Sequence, residues 1–131
     1  MTHAYVYAAA RTPFGRFEGA LAEVRPDGLA ATALAGAGIT WAEVSVVELN
    51  EAFAVQSLAC VDGWPGEGLV DAEIVNAKGG AIAIGHPLGA SGARIVGTLA
   101  KRLQESGDRY GVAAICIGVR QALAAVPENV S

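Results

Sequence analysis

Residues 112–117, VAAICI, form an apolar run with no polar side chain to turn toward water. A strand of alternating polarity leaves one face wet, but this one requires cover on both. Val44–Leu49 is a second, β-branched run and reads as another buried strand. The segments around these runs supply the cover. Residues 5–10 read as a strand entering the loop TPFGRFEG, and Pro26-Asp27 then opens an alanine-rich helix. That helix runs to about Ala35 and ends at Gly36 and Gly38. Thr40 and Glu43 have capping-box spacing and predict one further helical turn. Residues 51–61 form the next helix, with Phe53 and Leu58 inside, and DGWPGEG at 62–68 is a surface loop. Residues 74–77 are a third strand. Residues 79–92 are a glycine-rich loop in which Ser91 caps the following helix. That helix puts Ile95, Val96, Leu99 and Leu103 on one face and stops at Gly107. Residues 119–126 read as a fifth strand. The order βαβαβαββ predicts an α/β fold: one domain over 1–131, with a mostly parallel five-stranded sheet covered by helices.

Composition limits what such a domain can bind. The chain has 9 basic and 13 acidic residues, a net charge of −4, and no basic block. Phosphate backbones need clustered cations, so nucleic acid is excluded as the main partner. The longest uncharged runs, 28–42 and 79–93, are 15 residues each and broken by glycine or proline. Neither is long enough for a membrane span. The opening MTHAYVYAAAR lacks the basic start of a secretory signal. Cys60 and Cys116 have neither CxxC spacing nor metal-ligand companions, which predicts free thiols, no metal and a cytoplasmic location.

Three polar residues stand at the ends of apolar segments: Asn50, His86 and Cys116. In open α/β sheets the carboxyl ends of the strands form the ligand crevice, and a parallel order brings these residues there. Pro87 keeps His86 out of helical geometry, and Gly85 and Gly89 let the backbone turn around it. Residue type alone leaves two readings open. The three are a site, or they are a loop histidine, a buried strand thiol and a helix cap. Two phosphate motifs are excluded. Gly80 to Gly85 has phosphate-loop spacing, but His86-Pro87 replaces the required Lys and Ser/Thr, and no GxGxxG follows a strand.

The wording of the segments goes further. ELNEAFA at 48–54, NAKGGAIAIGHPLGASGARI at 76–95 and CIG at 116–118 closely resemble three active-site segments of the thiolase family. AAARTPFGRFEGAL at 8–21 resembles the start of the same enzymes. The resemblance implies condensation or cleavage of acyl-CoA thioesters through an acyl-cysteine. It implies no cofactor, with the coenzyme A thioester as substrate, and a dimeric or tetrameric assembly. By the same match, His86 activates a nucleophilic cysteine and holds the thioester oxygen. Cys116 is the acid/base for the substrate's α-proton or leaving thiolate, and Asn50 anchors a water in an oxyanion site. Gly85 and Gly118, beside the histidine and the cysteine, fall on the substrate. The residue types suit these roles. An imidazole lowers a neighbouring thiol's pKa, and donors aimed at an oxyanion stabilise it by about 3–4 kcal/mol each.

Two departures bear on activity. Residues 1–34 resemble the family's N-terminus and 35–131 its C-terminal half, so the sum is one complete half of a two-half molecule. No CGSG-type nucleophile segment or coenzyme-A-holding loop domain stands between them, and Cys60 lies mid-helix. Val119-Arg120 also replaces two glycines that the family has after CIG. Little or no turnover is therefore expected. A non-catalytic module that pairs with itself or with a thiolase is the second reading, and acyl-CoA hydrolysis by a His86-activated water the third. A homodimer is expected through the helix at 92–106, where Ala93, Gly97 and Ala100 form a stripe of small residues.

Overall fold

The computed structural model describes residues 9, 28–67, 71–118 and 121–130. Its sheet has three strands in the order β1 (Val44–Leu49), β2 (Tyr110–Gly118), β3 (Gln121–Ala125). β1 and β2 are parallel, with Val47 opposite Val112 and Leu49 opposite Ala114. β3 returns antiparallel along β2, with Cys116 opposite Ala122. On the edge of β1 away from β2, Val75 makes an isolated parallel bridge to Val47.

Cover lies on both faces, as the apolar strands require. On one face α1 (Gly28–Ala37) and α2 (Ala54–Gly63) enclose Leu34, Trp41, Val47, Leu49, Trp64 and Val112. Trp41 and Trp64 stack tilted, their centroids 5.2 Å apart. On the other face α4 (Ser91–Ser106) packs Ile95, Leu99 and Leu103 against Val46 and Ala113. Those three side chains recur every four residues and are fully buried, each contributing about 1.5–3 kcal/mol. α4 stops at Gly107, whose left-handed backbone turns its N–H onto the Leu103 carbonyl. Among the described residues no helix is long and apolar enough to cross a membrane.

Several expectations are corrected. The described residues form three of the expected strands, with one parallel pair and one antiparallel pair rather than a mostly parallel set. The expected strand at 5–10 lies, but for Ala9, outside the described residues, as do the loop after it and Val119-Arg120. The expected strand at 74–77 is reduced to the Val75 bridge, because Ala72–Ile74 is a 3-10 turn and Asn76 is left-handed (φ +49°). The helix expected from 51 begins at Ala54, because Glu51 is held by other segments and Phe53 is extended. Phe53 and Leu58 are therefore exposed, not inside. Trp64, expected in a surface loop, sits in the core. The 79–92 loop contains a short helix, α3 (Ala81–Ile84). Val96 lies a third of a turn from the buried stripe and is half-exposed. The capping pair holds: the Thr40 N–H donates to Glu43 Oε2 at 2.8 Å, and this bond holds the Glu43 carboxyl below its usual range.

One buried ion pair ties the layers together. Arg102 of α4 donates to Glu48 Oε1 of β1 at 2.7 Å, to the Val47 carbonyl at 3.3 Å and to the Ile74 carbonyl at 3.2 Å. Glu48 is 1% exposed. Removing one partner of such a pair strands a buried charge, which costs about 3–5 kcal/mol. Arg102→Ala is expected to lower unfolding stability by about that amount in urea titration. The Glu48→Gln, Arg102→Met double variant is expected to recover most of it.

Candidate active site

The carboxyl end of β1 delivers Asn50. Its N–H continues the ladder to the Ala114 carbonyl at 2.8 Å, and the chain then turns, the Ala52 N–H donating to the Asn50 carbonyl. The Asn50 side chain is completely buried. Its Nδ2 lies 3.3 Å from His86 Nε2, while its Oδ1 has no hydrogen-bond partner.

His86 reaches that position through a second asparagine. The left-handed backbone of Asn76 lets its side chain lie along β1 as a strand would. The Leu49 N–H donates to Asn76 Oδ1 at 2.8 Å, and Asn76 Nδ2 donates to the Leu49 carbonyl at 2.9 Å and to Glu51 Oε1 at 3.0 Å. The other oxygen of Glu51 accepts the Ile82 N–H of α3 at 2.9 Å. The carboxylate fills the place where a Cβ on residue 80 would stand, so any side chain there would displace it from these bonds. α3 ends at Gly85, whose φ of +90° swings the chain outward and presents His86. The far side of the ring meets Ser91, the first residue of α4, with Nδ1 2.6 Å from Oγ. Ser91 is thus not the helix cap expected from its position; Ala90 holds that place and the serine is wholly buried.

Cys116 lies at the same carboxyl edge, two residues beyond the Ala114 that pairs with Leu49. It is a partly buried free thiol. It faces the α1/α2 layer, lining a small cleft with Leu49, Gln56, Cys60, Trp64 and Leu123. Among the described residues no hydrogen bond joins it to His86 or Asn50. Gly118 ends β2 with φ +91°. The structure therefore brings Asn50 and His86 into contact and sets Cys116 on the same edge, toward the opposite layer. It also adds Asn76 and Glu51, which sequence reasoning passed over, and Ser91, which it had read only as a helix cap. One signal for Asn76 was available: like Asn50, it follows a short apolar run within a matched motif.

Chemically, the edge offers an imidazole held at both nitrogens, a buried amide and a thiol. Among the described residues, no three His, Cys, Asp or Glu residues are grouped to hold a metal ion.

Comparison with known proteins gives the family. Residues 14–129 match the family described as Thiolase, C-terminal domain, so the chain belongs to the thiolase family. It is 52% identical over 98 residues to a 3-ketoacyl-CoA thiolase of Shewanella denitrificans, covering 75% of this chain and 25% of that one. It is 50% identical over 95 residues to a β-ketoadipyl-CoA thiolase of Acinetobacter baylyi, covering 72% and 23%. The human mitochondrial 3-ketoacyl-CoA thiolase structure superposes with a TM-score of 0.71 at 38% identity, over 81% of this chain and 27% of the other. The chain thus spans about a quarter of the length of the curated relatives it matches.

The Asn76 side chain makes three hydrogen bonds worth about 1 kcal/mol each. Asn76→Gly keeps the backbone conformation and removes them. It is expected to lower stability by about 2–3 kcal/mol in urea titration and to speed hydrogen exchange at the Leu49 amide.

Proposed function

We propose that this chain carries the C-terminal-half part of a thiolase-type acyl-transfer site, and that its ligand is an acyl-CoA thioester. The observation that carries this reading is the 3.3 Å contact between Asn50 and His86 at the carboxyl edge of the sheet. In this reading Asn50 and His86 form the polar pocket for the thioester oxygen, Asn50 anchoring a water there. His86 is also the base toward a thiol. Cys116 moves the α-proton, and Gly85 and Gly118 line the substrate. Coenzyme A arrives as part of the substrate, and no further cofactor takes part.

Turnover by this chain alone is low in this proposal, for a sequence reason. Neither cysteine stands in a CGSG-type segment, so the covalent acyl-enzyme route lacks its nucleophile. Residues 1–34 and 35–131 together make one half of the family's two-half architecture. Two free thiols suit a cytoplasmic setting.

Titration with acetoacetyl-CoA, followed by NMR, tests the reading. Shifts are expected at the His86 ring and the Asn50 amide, larger than those given by coenzyme A alone. Asn50→Ala is expected to abolish them. The same mixture with free coenzyme A is expected to lose thioester no faster than buffer. Loss at ordinary enzyme rates that requires coenzyme A overturns the low-turnover reading, and loss without it favours hydrolysis by His86. No shift at His86 favours the non-catalytic module.

We further propose that the chain forms a homodimer, or pairs with a thiolase, through α4. Ala93, Gly97 and Ala100 lie exposed beside half-exposed Val96, and a Cβ on residue 97 would meet nothing within 4 Å. A two-fold axis lets such a surface cover itself. Size exclusion with light scattering at micromolar concentration is expected to give a dimer mass, and Gly97→Glu to shift it toward monomer.

A further inference from the structure

The short contact between His86 and Ser91 bears on which ring nitrogen carries the proton. Ser91 Oγ lies 2.6 Å from His86 Nδ1 and 3.2 Å from the Pro87 carbonyl, and the hydroxyl has one proton to give. The carbonyl can only accept. If the hydroxyl proton went to Nδ1 instead, the serine and carbonyl oxygens would face each other lone pair to lone pair. With the proton on the carbonyl, Oγ is left as an acceptor and Nδ1 must be the donor. The other side of the ring agrees. Asn50 Nδ2 can only donate, so Nε2 at 3.3 Å must hold a free lone pair. With Asn50 in this orientation, both ends of the relay fit the same form of the ring.

We infer that Ser91 is a positioning residue that fixes His86 in the Nδ1–H tautomer and so leaves Nε2 as the basic nitrogen facing Asn50. The inference rests on His86 being the base of the proposed site. Ser91 suits the task because it is wholly buried and its own backbone N–H also ends on the Pro87 carbonyl. Water is excluded from the serine, and the first turn of α4 holds it in place. In the opposite tautomer, Nε2–H would need an acceptor. Asn50 Oδ1, buried with no partner, becomes one if the amide turns over. The ring therefore has a second arrangement within reach, and the serine excludes it. The consequence for the proposed chemistry is directional: the imidazole takes a proton at Nε2, on the side of the Asn50 pocket and not of α4, and only then can Nε2–H donate to the thioester oxygen.

Long-range proton–nitrogen correlation spectra of the full chain read the tautomer directly. The sequence has two histidines, His3 and His86, and His3→Gln assigns the signals. In the wild type the neutral His86 ring is expected to show protonated Nδ1 and bare Nε2. Ser91→Ala is expected to lose that dominant signal in favour of protonated Nε2, and Ser91→Thr to restore it. A wild-type ring protonated on Nε2 overturns the inference, whether or not any variant folds. So does a folded Ser91→Ala that keeps the Nδ1–H signal, since a merely structural serine would lower the melting temperature without moving the proton. The readout needs no acyl-CoA. If the tautomer is as expected and acetoacetyl-CoA leaves His86 untouched, the proposed function fails while the relay stands.

Discussion

Arg102 binds three segments at once, and each of the three leads to a part of the site. It joins α4 to Glu48 on β1 and to the carbonyl of Ile74. Two residues beyond Glu48 stands Asn50, two beyond Ile74 stands Asn76, and the first turn of α4 holds Ser91. The guanidinium fork suits this position better than an ammonium would, because its donors diverge in a fixed plane toward a carboxylate and two carbonyls. Burying the pair is costly in itself, and Glu48 Oε2 is left without a partner. What the pair contributes is register: β1, the Ile74 turn and α4 cannot slide past one another without stranding a charge.

From that frame the site is assembled almost entirely by hydrogen bonds to side chains, not by regular secondary structure. Asn76 takes the place of a strand, Glu51 takes the place of a helix cap for α3, and Ser91 reaches back to the loop it follows. Each is a short polar side chain completing what the backbone leaves open. His86 is consequently held in a loop with the fixity of a core residue. Its two ring nitrogens meet neighbours that belong to different elements.

This explains what the sequence disclosed and what it withheld. β1 and the end of α4 were legible because each follows from a local rule: a β-branched run, and a glycine after an apolar stripe. The contact of Asn50 with His86 was legible through their motifs, and so was the strand edge that holds Cys116, though its side of the sheet was not. Pattern alone could not foresee that 74–77 would yield a single bridge, since the left-handed Asn76 backbone goes with a side chain bonded to both backbone groups of Leu49. Nor could it place Trp64 in the core, because the composition around it reads as loop while its ring fills the gap beside Trp41. Ser91 was noticed for the right reason, a hydroxyl at a helix start, and given the wrong partner. In each miss a tertiary contact outweighed a local preference.

The Asn76 amide also has an effect beyond the site. An uncovered sheet edge presents free amides and carbonyls on which a foreign strand can grow, and natural proteins blunt such edges. At the carboxyl end of β1 both backbone groups of Leu49 are already occupied by one side chain, and Val47 is bridged by Val75. No strand from another molecule finds a template there. A polar residue that aligns a loop thus also guards the sheet against edge-to-edge aggregation, and two copies of this chain cannot extend a common sheet from that position.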